Sequence, residues 1–352
     1  MNNPFDPSFE NGVFGSELPP QRPFDPQESK ERASEVQLLR SPRRQITSIA
    51  LAITFITLFT TVVQLVSVFI VRSFFPSVTE ANWFLIVFSS APMYLIAMPL
   101  SLLFFAIAPA TAPQKSRIKL GAWLGLLAIC FAMTYVGNII GATVNELIAQ
   151  LTGEPVENDL DTLTKNTPLW ANLLFLGILA PILEELFYRK LVIDRLITFG
   201  DFPAILLSGL LFGMIHGNFG QFFYATLMGF VFGFIYLKTG KLRYSIALHM
   251  AVNLVGGVYT SEVLKYLDLE ALAAAPLDYA AQNPTPILLF ALYFCFILLC
   301  FLTAPIALIL LWKKIRFQKA SQPVSAAEWR KALLANPAVW ILLLLVVLLF
   351  VL

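Results

Sequence analysis

Charge is scarce in this chain. Only 13% of its 352 residues are Asp, Glu, Lys or Arg, about half the share of an ordinary soluble domain. A soluble dehydrogenase and a secreted disulfide scaffold are excluded at the outset. The formal charge of +2 is spread over many short segments rather than gathered in a stripe, so no nucleic-acid partner is expected. Cys130, Cys295 and Cys300 all fall in apolar runs with no C-x-x-C pair, and they read as packing residues. Histidine occurs twice, and the H-E-x-x-H spacing of zinc peptidases is missing. No serine, cysteine or threonine stands in a nucleophile pattern with a histidine and an acid.

What the chain has in excess is apolar length. Hydrophobic residues make up 58% of it and the mean hydropathy is +0.74. The runs are continuous and lack the alternation of barrel strands, so the expected fold is an all-α, polytopic transmembrane helix bundle. About nine runs reach the length that a hydrocarbon core of roughly 30 Å demands: residues 46–71, 82–108, 118–145, 168–196, 203–217, 219–237, 244–260, 286–312 and 336–352. Eight is the alternative count, because the fifth run is short and the last stops at the C-terminus. Residues 1–44 are polar and Pro-rich and carry Pro-Phe-Asp-Pro twice, which predicts a disordered cytoplasmic tail. The tail holds no apolar segment of the secretory kind, so the first run is expected to act as an uncleaved anchor. The organisation expected is the tail (1–44), N-terminal membrane helices (45–167), a polar-bearing core (168–260) and C-terminal membrane helices (261–352).

Basic residues mark the cytoplasmic side of a membrane protein. Arg40, Arg43 and Arg44 precede the first run, and further groups follow at every second loop: Lys115, Arg117 and Lys119; Arg189, Lys190 and Arg195; Lys238, Lys241 and Arg243; then Lys313 to Lys331. Two of the intervening loops are acidic, with Glu154, Glu157, Asp159 and Asp161 in one and Glu262, Asp268, Glu270 and Asp278 in the other. An N-terminus in the cytoplasm and a C-terminus outside are expected.

An ionisable side chain in mid-membrane costs about 2.5–3.5 kcal/mol on insertion scales, so each one calls for a partner or a function. They concentrate in the fourth to seventh runs. The fourth contains Pro181-Ile-Leu-Glu-Glu-Leu-Phe-Tyr-Arg-Lys190. Glu185 and Arg189, four apart, share a helix face and can pair, while Glu184 lies about 100° round and stays free for another task. Pro181 removes a backbone hydrogen bond next to the acids and favours a kink there. Both histidines, His216 and His249, sit on stripes of small or polar residues, the first with Gly209, Phe212 and Gly213, the second with Ser245, Asn253 and Gly256. At a rise of about 1.5 Å per residue, Glu184, His216 and His249 can meet at a common level between the cytoplasmic half and the midplane.

A glutamate, two imidazoles and an amide in an apolar setting supply a base for water and donors for an oxyanion, the needs of hydrolysis. Two alternatives use the same residues. Glu184, His216 and His249 are a known zinc ligand set, and a proton-linked transporter would use Glu, His and Arg as a relay.

The order E-E-x-x-x-R (Glu184 to Arg189), F-x-x-x-H (Phe212 to His216) and H-x-x-x-N (His249 to Asn253) resembles the CAAX protease and bacteriocin-processing (CPBP, or Abi) family of intramembrane proteases over roughly Leu169 to Gly257. The resemblance implies an endopeptidase in which Glu184, helped by His216, activates water, His249 and Asn253 stabilise the oxyanion, and Glu185, Arg189 and Phe212 support them. It leaves the cofactor open between zinc and none. It implies a peptide or membrane-protein substrate, prenylated in the CAAX branch, reached from the lipid bilayer, and a bacterial plasma membrane as the setting. Lys190 departs from the glycine that relatives often carry there. A non-catalytic bacteriocin-immunity protein is the other reading that the family offers.

Overall fold

The computed structural model describes residues 41–156, 159–312, 315–321 and 323–351. The predicted tail lies outside these residues except for its last four, and there the expectation needs correcting. Ser41 caps a helix by accepting from the Arg44 amide, and Pro42 opens its first turn, where a missing N–H costs nothing. Residues 42–44 are therefore helix.

Among the described residues every regular element is helical. Helix α1 spans Pro42–Phe74, α2 Phe84–Phe105, α3 Leu120–Thr152 and α4 Leu169–Phe199. The short α5, Asp201–Met214, and α6, Phe219–Thr239, follow as a hairpin. Helix α7 runs from Leu242–Val252 through a π-helical stretch, Asn253–Tyr259, into Thr260–Leu264. Helix α8 is Pro284–Trp312, and α9 (Ala326–Leu333) meets α10 (Pro337–Val351) at a bend of 56°.

All nine predicted runs are thus helices. Six of them, α1–α4, α6 and α8, are long and apolar enough to cross a bilayer alone, and the bent α9–α10 pair makes a seventh. The difference from nine has a physical origin. Helix α5 has 14 residues, about 21 Å at the standard rise, and α7 is diluted by the polar residues that the sequence reading singled out. The chain is an integral, multi-pass membrane protein.

Glycine sets the tightest helix contacts. A Cβ on Gly229 of α6 would lie 2.8 Å from Gly209 Cα of α5, and one on Gly141 of α3 would lie 2.6 Å from the Phe219 carbonyl. Such small-residue seams let backbones approach where lipid offers no hydrophobic drive for association. At the α6–α7 turn Gly240 has φ +60 and its missing Cβ would sit 2.7 Å from the Pro113 and Gln114 carbonyls, so both space and backbone require glycine there. Cys130 and Cys300 are buried as expected, whereas Cys295 is exposed on α8 rather than packed.

The loops sort by charge. Arg44 Nε donates to Ile107 O (2.8 Å), the Ser116 amide to Thr239 O (2.8 Å), and Lys238 Nζ to Asp201 (2.7 Å). These bonds draw the basic segments around residues 43, 115, 195, 240 and 316 to one end of the bundle. At the other end Asn172 Nδ2 donates to Thr164 O (2.8 Å) and Lys265 Nζ to Thr167 O (3.0 Å), close to the acidic stretches that follow α3 and α7.

Candidate active site

Helix α4 is wound unusually. Its acids lie on one α-helical turn and a half, Ala180–Glu185, flanked by π-helical stretches Asn172–Leu179 and Leu186–Ile193. Two further π stretches face it, Met93–Ala97 of α2 and Asn253–Tyr259 of α7. Wide turns of this type re-aim side chains inside otherwise regular helices and concentrate at functional sites. Gly177 makes room for the meeting of α4 and α7, since a Cβ there would run into Leu254 at 2.6 Å.

Glu184, His216, His249, Asn253 and Phe212 all line one cavity of about 180 Å³. Glu185 and Arg189 stand behind it, both fully buried, paired Nε to Oε2 at 3.1 Å. Arg189 also donates through Nη1 to Ser208 Oγ (2.7 Å), and Ser208 in turn donates to the Tyr188 carbonyl (2.8 Å). Its guanidinium lies over the rings of Phe212 (5.1 Å) and Phe232 (5.7 Å), which offer it their negative faces. The positive charge is thus fixed from four sides without touching the cavity.

His249 reaches between the two glutamates. Nε2 lies 3.8 Å from Glu184 Oε2, and Nδ1 lies 3.4 Å from Glu185 Oε1. The ring is stacked on Phe232 (5.0 Å) and edged by Phe212 (5.6 Å). Phe212 edges His216 as well, at 5.2 Å, so one aromatic ring sets the orientation of both imidazoles. His216 Nδ1 donates to the Phe212 carbonyl at 2.8 Å. That bond leaves Nε2 as the lone-pair nitrogen of the neutral ring. Asn253 Nδ2 donates to the Leu176 carbonyl at 2.9 Å, which uses one of its two N–H groups and keeps the other available.

Three participants escaped the sequence reading. Tyr94 of α2 donates to Glu184 Oε1 at 2.8 Å. Ser208 and Phe232 support Arg189 and His249. Serine, tyrosine and phenylalanine are ordinary in membrane helices, so nothing about these three stands out in a one-dimensional scan. Only Ser208 carried a signal, one residue before the Gly209 stripe.

The zinc alternative finds no geometric support. Among the described residues no three His, Cys, Asp or Glu side chains are placed to hold a metal ion.

Beside this cavity lies a larger one of about 640 Å³, formed chiefly by α3, α6 and α7. Leu176, Gln221, Tyr224, Met228 and Asn253 line both. Glu146, Lys165 and Ser261 place its far part toward the end of the bundle that carries the acidic loops.

Fold and site together define a polytopic helical membrane protein with a carboxylate, two imidazoles and an amide gathered at one internal cavity. Residues 166–255 match the family model described as type II CAAX prenyl endopeptidase, Rce1-like. The match falls on the segment whose three motifs carry the resemblance and names the same kinship. No curated protein matches the chain, and no solved structure does.

Proposed function

We propose that this protein is an intramembrane endopeptidase in which Glu184 is the general base. The observation that carries the reading is the division of labour between adjacent acids. Glu185 is closed off against Arg189 with 0% exposure, whereas the Glu184 side chain is 15% exposed and faces the cavity. A carboxylate on a cavity wall can take a proton from water; one locked in an ion pair cannot.

In this reading a water held between Glu184 and the free Nε2 of His216 gives its proton to Glu184. The hydroxide attacks the carbonyl carbon of the scissile peptide bond. The oxyanion that forms accepts hydrogen bonds from the Nε2 side of His249 and the remaining N–H of Asn253. Glu184 then returns the proton to the leaving nitrogen, which breaks the carbon–nitrogen bond and restores the base. Water and the peptide are the only reactants that the step consumes.

His249 lies seven residues inside α7 from its start at Leu242, about 10 Å along the axis. The cut therefore falls in the half of the bundle that carries the basic loops. Basic loops face the cytoplasm in most membrane proteins, so the N-terminus is assigned there. The substrate is a peptide or membrane-protein segment, prenylated if this chain shares the CAAX chemistry of the matched family.

Mass spectrometry of a peptide library that includes prenylated CAAX peptides, incubated with the purified protein or its Glu184→Gln variant, tests the function. Cleavage by the first and none by the second supports it. No cleavage by folded protein of either kind overturns it in favour of transport or immunity. Labelling of a single cysteine at position 241 from the cytoplasmic side alone checks the orientation.

A further inference from the structure

The base has a partner from outside the matched segment. Tyr94 lies 90 residues before Glu184 on α2, beyond the 166–255 match. It occupies the π-helical stretch Met93–Ala97, between Pro92 and Pro99. The two prolines each lack the N–H of a regular helix, and the wide turn between them rolls the tyrosine toward α4. The ring is 7% exposed, and its hydroxyl donates to Glu184 Oε1 at 2.8 Å. Ser89 and Ser90, about one turn earlier on α2, line the same small cavity with Tyr94.

We propose that Tyr94 is a positioning residue of the reaction centre, whose hydroxyl holds Oε1 of Glu184 so that Oε2 is the oxygen presented to His249 and the cavity. This rests on the peptidase reading given above. A free carboxyl group on a helix samples several rotamers and presents either oxygen. A donor on one oxygen fixes both choices, and a hydrogen bond to a charged group is worth about 1.5–3 kcal/mol. The geometry also explains how α2, which carries none of the three motifs, enters the chemistry. The α2 helix brings one hydroxyl to the base.

The test compares Tyr94→Phe, Tyr94→4-aminophenylalanine and Tyr94→4-methylphenylalanine in the full-length protein. Cleavage is followed on a farnesylated CAAX peptide, and thermal unfolding is followed in the same detergent. In parallel, and with no substrate present, modification of Glu184 by a hydrophobic carbodiimide is timed by mass spectrometry, with Glu184→Gln as the blank. Tyr94→Phe should lower kcat about ten-fold or more while KM and the unfolding temperature hold. The amino variant, which keeps a donor at the para position, should recover most of the rate, and the methyl variant, which only fills the space, should not. Carbodiimide should modify Glu184 several-fold faster in Tyr94→Phe, because Oε1 has lost its donor. Unchanged kcat with unchanged labelling overturns the assignment, and so does equal activity of the amino and methyl variants. Should the unaltered chain cleave nothing, the peptidase reading fails while the labelling rates still decide the role of Tyr94.

Discussion

Two clusters of charge lie inside the same bundle, and they are finished differently. Near the basic end, Asp194 uses both oxygens: Oδ1 accepts from Tyr236 Oη at 2.7 Å and Oδ2 from Lys190. Its neighbour Arg195 donates to the carbonyls of Leu191 and Phe105, and Asp201 Oδ2 accepts from Lys238 Nζ and the Gln318 amide. Arg195 Nε is the one buried atom of this cluster without a hydrogen-bond partner among the described residues; one level deeper there are three, Glu185 Oε1, His249 Nδ1 and Arg189 Nη2, and Glu184 turns toward a cavity. A buried polar group left short of partners costs about 1–3 kcal/mol. The first cluster holds helices together; the second tolerates open valences beside a space where a reacting molecule fits.

The largest effect is expected at Glu184. Glu184→Gln keeps the shape and the acceptor for Tyr94 but removes the carboxylate proposed as the base, and cleavage should fall by about 10²–10⁴-fold. The unfolding temperature should stay put, since the hydrogen bond from Tyr94 is kept and the Glu185–Arg189 pair is untouched. A variant that retained its rate would move the base elsewhere and erase the contrast between the two acids.

Much of this centre is legible in the sequence, for a definite reason. Ionisable residues are so costly in apolar runs that Glu184, Glu185, Arg189, His216 and His249 stand out singly, and their spacing assigns the Glu185–Arg189 pair before any coordinates. The rotation of Glu184 away from that pair is equally readable from helical geometry. Tyr94 is not readable, because its role depends on a π turn between two prolines and on a contact 90 residues distant. The span count is only partly readable. Apolar runs reveal each helix, but whether α5 crosses depends on how far it extends before Gly217 turns with φ +70.

The closed half of the centre should answer to stability rather than to rate alone. Arg189→Ala leaves Glu185 as a buried, uncompensated charge, a loss of about 3–5 kcal/mol. Thermal unfolding in detergent should show it as a marked drop in midpoint. Arg189→Lys should recover only part, since a lysine cannot serve Glu185 and Ser208 with a planar fork while lying over two aromatic rings. Full recovery would mean that the charge alone matters there.

In the basic-end cluster the expected losses are smaller. Tyr236→Phe removes one donor from Asp194 and leaves Lys190 in place, so about 1–2 kcal/mol should go with cleavage of any substrate unaffected. A rate loss comparable with that of Glu184→Gln would show that the basic-end network reaches into the chemistry, and the two clusters would then be one.

The mildest change concerns Lys190. Its side chain is 41% exposed and pairs with Asp194, which is 2% exposed. Water can replace the ammonium group on that open side, and Tyr236 continues to donate to the carboxylate. Lys190→Ala should therefore cost at most about 1 kcal/mol, the usual range of an exposed pair, with activity unchanged. A larger loss would mean that Asp194 depends on this lysine as Glu185 depends on Arg189.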